Sequence, residues 1–209
     1  MKTLLTILAM SLLASTAFGQ LVITGVVDGP LSGGVPKAVE LCAVMDIADL
    51  SEYGLGSANN GGGSDDEEFT FPAVAVSQGD FIYVASEEIG FTDFFGFAPD
   101  YISSAANING DDAIELFHLG MVVDLFGDID VDGTGEPWEY LDGWTYRVDN
   151  TPDSPVFELA NWTFSGPNAL DGETSNDTAV TPFPIGTWTF EPNVANEAQS
   201  LSAVKALFQ

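Results

Sequence analysis

Cations are scarce in this sequence: four lysines and arginines stand against 32 aspartates and glutamates, for a formal net charge of −28. A field of that sign repels phosphate backbones and anionic lipid, so nucleic acid and acidic membrane surfaces are excluded as direct partners. Cysteine and histidine occur once each, as Cys42 and His118. One cysteine cannot close an intrachain disulfide, and one histidine cannot build a histidine-rich zinc site. No Gly-x-Ser-x-Gly or Cys-His arrangement is there to pair a nucleophile with a base, so the sequence reads as non-catalytic. Cys42 lies in the apolar run AVELCAVM and reads as a small buried hydrophobe.

Long hydrophobic runs are also missing. The most apolar stretch, Leu4 to Leu13, falls short of the ~20 residues that span a bilayer. It follows Lys2 and leads to small residues, with Ala17 and Gly19 three and one positions before Gln20. This pattern predicts a signal peptide over 1–19, a secreted or cell-surface destination, and no transmembrane segment after cleavage. Removing Lys2 leaves 3 − 32 = −29 formal charges. The remaining length has room for one domain, predicted over 20–190, with a linker and tail over 191–209. In that tail Leu201, Val204 and Leu207 recur at helical spacing, which predicts a short C-terminal helix.

Elsewhere helical periodicity is absent and strand signals recur. QLVITGVV, KAVELCAVM, EFTFPAVAV, DFIYVAS, GWTYRV and FELANWTF are short β-rich runs separated by Gly, Pro, Asn and Asp. DAIELF and MVVDLFG, joined through His118, Leu119 and Gly120, read as an antiparallel hairpin. In it Ile114 and Leu116 alternate with Glu115, and Val123 and Leu125 alternate with Asp124, giving each strand one apolar and one wet face. Roughly eight such strands predict an all-β sandwich or barrel.

The segments PKAVEL, DIADLSEYGL, EFTFPAVAVSQGDFIYVAS, FTDFFG and NINGDDAIELFHLGMVVDLFG, in that order, resemble the bacterial secreted branch of the lamin-tail domain family. The resemblance covers about residues 21–148, and NWTFSGPNALDG is similar to a segment that closes such domains. It implies an immunoglobulin-like antiparallel β-sandwich and a non-catalytic module of exported proteins.

One stretch carries a metal-binding pattern. In GDIDVDGTGEPWEYLDGW, counting from Asp128, positions 1, 3 and 5 are Asp128, Asp130 and Asp132, position 6 is Gly133, and positions 9 and 12 are Glu136 and Glu139. Those residues satisfy the EF-hand loop formula, with the Thr134 carbonyl at position 7 as a neutral ligand. Calcium, which takes six to eight oxygens, suits the set better than magnesium. No helices flank the loop, so the site would be an aspartate-rich loop on a β scaffold, with Glu139 or Asp142 as its final ligand. The acidic run Ser64–Glu68 reads as a solvated loop, and Asp111 and Asp112 as makers of turn hydrogen bonds. Trp138, inside the acidic loop, is the tryptophan best placed to offer a sugar-stacking face, against a default of burial.

The expected protein is therefore a calcium-stabilised binding or attachment module whose partner is an extracellular protein or polysaccharide. A carbohydrate-binding module and a carboxylate-dependent hydrolase are the alternatives. The charge imbalance makes salt dependence the first expectation. The melting midpoint should rise between about 0.01 and 1 M NaCl, as the Debye length falls from about 30 to 3 Å. A midpoint flat across that range would show that self-repulsion does not limit stability.

Overall fold

The computed structural model describes residues 19–191. The predicted signal peptide, apart from Gly19, and the predicted terminal helix lie outside the described residues. Ten strands and one short helix follow in the order β1 (Leu21–Leu31), β2 (Val35–Ala43), β3 (Tyr53–Ala58), β4 (Phe69–Thr70), β5 (Phe81–Ala85), α1 (Ile89–Phe95), β6 (Tyr101–Ile102), β7 (Ala113–His118), β8 (Met121–Phe126), β9 (Gly143–Arg147) and β10 (Trp162–Phe164). They form a six-stranded sheet in the order β10-β9-β1-β2-β5-β6 and a four-stranded sheet in the order β4-β3-β7-β8. Every pairing is antiparallel except β5 with β6. The regular structure of the described residues is thus mostly β, arranged as a sandwich of two sheets. Among them no helix is long and apolar enough to cross a membrane.

The six-stranded sheet is covered on both faces, which is why β1 reads as a continuous apolar run. Leu21, Ile23 and Val26 join Val39, Leu41, Leu55, Ile114, Leu116 and Phe126 in the core between the sheets. Val22 and Val27 instead join Ala38, Cys42, Phe91, Trp144, Tyr146, Phe183 and Trp188 on the opposite face, beneath α1 and the segment 167–190. A bulge reconciles the two sets. Ile23 pairs with Leu41 and Gly25 with Glu40, leaving Thr24 as the extra residue, after which the inward parity passes from odd to even numbers.

The outer segment is fastened by a buried carboxylate. Glu40 Oε1 accepts from Thr24 Oγ1 (2.7 Å) and Tyr146 OH (2.8 Å), and Oε2 accepts from Gly186 N–H (2.7 Å). Tyr146 OH in turn accepts from the N–H groups of Thr187 and Trp188. Burial raises the Glu40 carboxyl above its ordinary range, and these donors oppose the shift without cancelling it.

The predicted hairpin is β7–β8. Leu119 (φ 50°) and Gly120 (φ 76°) form its loop, both in the left-handed region that a two-residue primed turn needs. His118 belongs to the strand, opposite Met121. In β7 Ile114 and Leu116 face the core as expected, but Glu115 between them is also buried, under Ser64 Oγ, which donates to it; in β8 the expected order is reversed. Leu116 faces Asp124 and Ile114 faces Phe126 across the ladder, with a register shift that leaves Val123 unpaired. Asp124 therefore points into the core, where it is 1% exposed.

What holds Asp124 there is Arg147, the chain's one arginine. The guanidinium donates to Asp124 Oδ2 through Nη2, to Ile23 O through Nε (2.6 Å) and to Pro152 O through Nη1 (2.8 Å), and it lies 4.5 Å from the centre of the Trp162 ring. Asp124 also accepts from the N–H groups of Ile23 and Ser154, both at 2.9 Å. The pair thus connects β8 of one sheet with β1 and β9 of the other. Burial drives the Asp124 carboxyl upward, while Arg147 and the two N–H groups pull it back.

Breaking such a pair strands a buried charge. Asp124→Leu should cost about 3–5 kcal/mol in urea unfolding, and adding Arg147→Met should return part of that loss. A single-variant cost below about 1 kcal/mol, the range of exposed pairs, would contradict this assignment.

Candidate functional site

The acidic loop 127–142 runs from the end of β8 to the start of β9. Its position follows from three contacts with the turn before β7. Gly133 N–H donates to Asp111 O (3.0 Å), Tyr140 N–H to Gly110 O (2.7 Å), and Tyr140 OH to Asp112 O (2.9 Å). Trp138 is buried beneath the loop, 5.9 Å from Phe126 and 6.2 Å from Phe157 between ring centres. It anchors the loop and offers no stacking face. The other three tryptophans are buried as well.

The glycine at position 6 serves a different purpose from the one its place in the EF-hand formula suggests. Gly133 has no positive φ; a Cβ there would stand 2.6 Å from the Trp138 ring and 2.7 Å from Asp111 O. The left-handed residue is Gly135, at φ 79°. Close packing against the indole, more than a chain reversal, is what demands glycine at 133.

The six residues of the calcium pattern share the loop, but their side chains are turned to separate tasks. Asp128 Oδ1 accepts from Asp130 N–H (3.0 Å), Asp132 Oδ1 from Thr134 N–H (2.9 Å), and Glu139 Oε2 from Gly135 N–H (2.9 Å). Asp128, Asp130, Asp132, Thr134 and Glu136 are exposed and Glu139 is half-buried. The Thr134 N–H holds the Asp132 carboxyl below its ordinary range. Among the described residues no three His, Cys, Asp or Glu side chains gather into a group that could hold a metal ion.

Two neighbouring aspartates complete the site. Asp112 is fully buried and accepts from Asn60 N–H (2.9 Å) through Oδ1 and Asn109 N–H (3.0 Å) through Oδ2, the turn-bonding role expected of it. Asp111 Oδ2 accepts from Thr134 Oγ1 (3.0 Å), while its Oδ1 is buried without a hydrogen-bond partner. Asn60 belongs to a third loop, and Gly63 N–H donates to Ile129 O (2.9 Å). Loops 59–63, 109–112 and 127–142 therefore interlock into one acidic pole. The turn hydrogen bond expected of Asp111 is replaced by its contact with Thr134 of the acidic loop, 23 positions away.

This pole lies opposite the place where the described chain begins and ends. Val44 N–H donates to Gln20 O, and Glu191 lines a shallow pocket with Cys42, Ala43, Val44 and Gln78. His118 is also at that far end, stacked 4.5 Å from Tyr53 with Nε2 3.6 Å from Glu52 Oε2. Cys42 is buried and its thiol is pushed up to about 11, chiefly by desolvation, which suits packing and not nucleophilic attack. The run Ser64–Glu68 crosses the outer face of β3, where Glu68 Oε2 accepts from Ser57 N–H (2.9 Å). Its neighbour Glu67 would collide with any Cβ at Gly54.

No protein-family model, curated protein or solved structure matches the chain.

Burial raises the carboxyls of Glu40 and Asp112, with desolvation the leading cause in each. Between the ordinary and the raised values the folded chain keeps protons that the unfolded chain has released, so their contribution to stability falls as pH rises through the folded values. With general repulsion screened by about 1 M NaCl, calorimetry should give a higher melting midpoint near pH 5 than near pH 8. Equal midpoints would show that hydrogen bonds to these groups offset their desolvation.

Proposed function

We propose that this protein is an exported, non-catalytic binding or surface-attachment module, built as an immunoglobulin-like sandwich of the lamin-tail kind. The observation that supports this best is the acidic pole itself, three interlocked loops set opposite the chain ends. A tether at either end would leave it facing outward. Arg147 is buried between the sheets and Lys37 is held on Asp28 at the edge of the pole, so the exposed carboxylates of the loop have no lysine or arginine ion-pair partner among the described residues. The partner is an extracellular protein or polysaccharide that brings cationic groups. The buried tryptophans lend no support to a sugar-stacking site.

Calcium on this loop is a second reading, favoured by two features. Every donor is a hard oxygen, and Asp111 Oδ1 is a buried acceptor without a partner. As arranged, Asp128, Asp130, Asp132, Thr134, Glu136 and Glu139 do not form a cage. A cation would sit better at the junction of Asp111, Asp132 and Thr134.

Two experiments test these readings. Immobilised domain should capture a basic extracellular protein or cationic polysaccharide, and Asp128→Asn/Asp130→Asn/Asp132→Asn should weaken capture at least about tenfold, about 1.4 kcal/mol. The far-pole control Asp46→Asn/Asp49→Asn should not; equal loss in both would mean non-specific attraction. For calcium, saturation at a hundred times Kd adds about 2.7 kcal/mol, or about 5–10 °C for a domain of this size. Melts in calcium and in chelator should differ by that amount and converge in Asp111→Asn, whereas an unchanged wild-type midpoint removes calcium.

A further inference from the structure

We propose that Lys37 and Asp28 become joined covalently, through an amide between Lys37 Nζ and Asp28 Cγ that ties β1 to β2. The two residues face each other across the ladder. Lys37 Nζ lies 3.1 Å from Asp28 Oδ1, with the side chains 14% and 3% exposed. The reacting groups are thus already in near contact and shielded from water.

The surrounding hydrogen-bond partners match the product better than the ion pair. Besides Asp28, Lys37 Nζ donates only to Ile108 O, and besides Lys37, Asp28 accepts only from Asp142 N–H, which reaches Oδ2 at 3.3 Å. An ammonium carries three donors and a carboxylate about four acceptor sites, more than these protein partners engage. A secondary amide carries one N–H and one carbonyl. Ile108 O would take the first and Asp142 N–H would serve the second.

The chemistry follows from burial. Desolvation raises the Asp28 carboxyl, which favours its protonated form. Passing a proton from Nζ to Oδ1 along the existing hydrogen bond leaves a neutral amine beside a carboxylic acid, with no change in net charge. The Nζ lone pair then attacks Cγ, and charge develops on Oδ2 where the Asp142 N–H meets it. The Cγ–Oδ1 bond breaks, Oδ1 leaves carrying its hydrogen and one more from Nζ, and the product is an amide and one water. No oxidant or cofactor is required.

The test is the mass of the full chain, produced folded and kept at neutral pH. The linked protein is one water lighter than its sequence requires. After denaturation, trypsin no longer cuts between Lys37 and Ala38, since that cut needs a free amine. Lys37→Arg and Asp28→Ala should regain full mass. Asp28→Asn should lose ammonia instead of water and arrive at the linked wild-type mass. Full mass with normal cleavage after Lys37 overturns the proposal. So does a water loss that persists in Lys37→Arg, because a succinimide at an Asp-Gly pair such as Asp28-Gly29 would produce it. Where a variant does not fold, wild-type digestion decides alone.

Discussion

The ion pair between Asp124 and Arg147 is the interaction around which the two sheets are arranged. Packed β-sheets could slide over one another at little hydrophobic cost, because apolar contact is not directional. A planar guanidinium that must meet one carboxylate and two backbone carbonyls allows no such freedom. By joining β8 to Ile23 of β1 and to the 152–154 turn, the pair fixes the translation of one sheet against the other. Trp162 closes the remaining side. The charges are costly to bury, and their return is a single alignment in place of several similar ones.

The same economy of positive charge explains the surface. Lys37 and Arg147 are both directed inward, each onto a carboxylate and a main-chain carbonyl. The exterior of the described body is left to carboxylates. Many of these are committed to nearby N–H groups: Asp49 to Ser51, Asp80 to Ser77, Asp128 to Asp130 and Asp132 to Thr134. Aspartate here shapes loops as well as charging them, which is how so acidic a chain keeps long irregular connections in defined conformations.

Much of the β architecture was legible in the residues, because half-buried strands and glycine-rich turns leave local marks. The β7–β8 hairpin and the burial of Cys42 follow directly from alternation and apolar context. The inward turn of Asp124 does not, since its cause is an arginine 23 positions away and an unpaired Val123 that resets the register. Nor does the outer layer: 167–190 has no period, and only the contacts of Glu40 and Tyr146 show how it is held. The acidic loop was legible as a spacing of carboxylates but not as directions. Each aspartate can serve a metal or the amide two residues ahead, and spacing alone is the same for both.

Thr24 has a consequence for how this domain can vary. Because the strand on either side of it contributes opposite parities to the same two cores, β1 is in effect two half-strands read in different frames. Losing that one residue would put Val26 and Val27 on each other's faces while leaving Leu21 and Ile23 untouched. Tolerance to length change should therefore be lowest at a position whose own side chain is small, polar and unremarkable in composition, and a catalogue of core hydrophobes would pass over it.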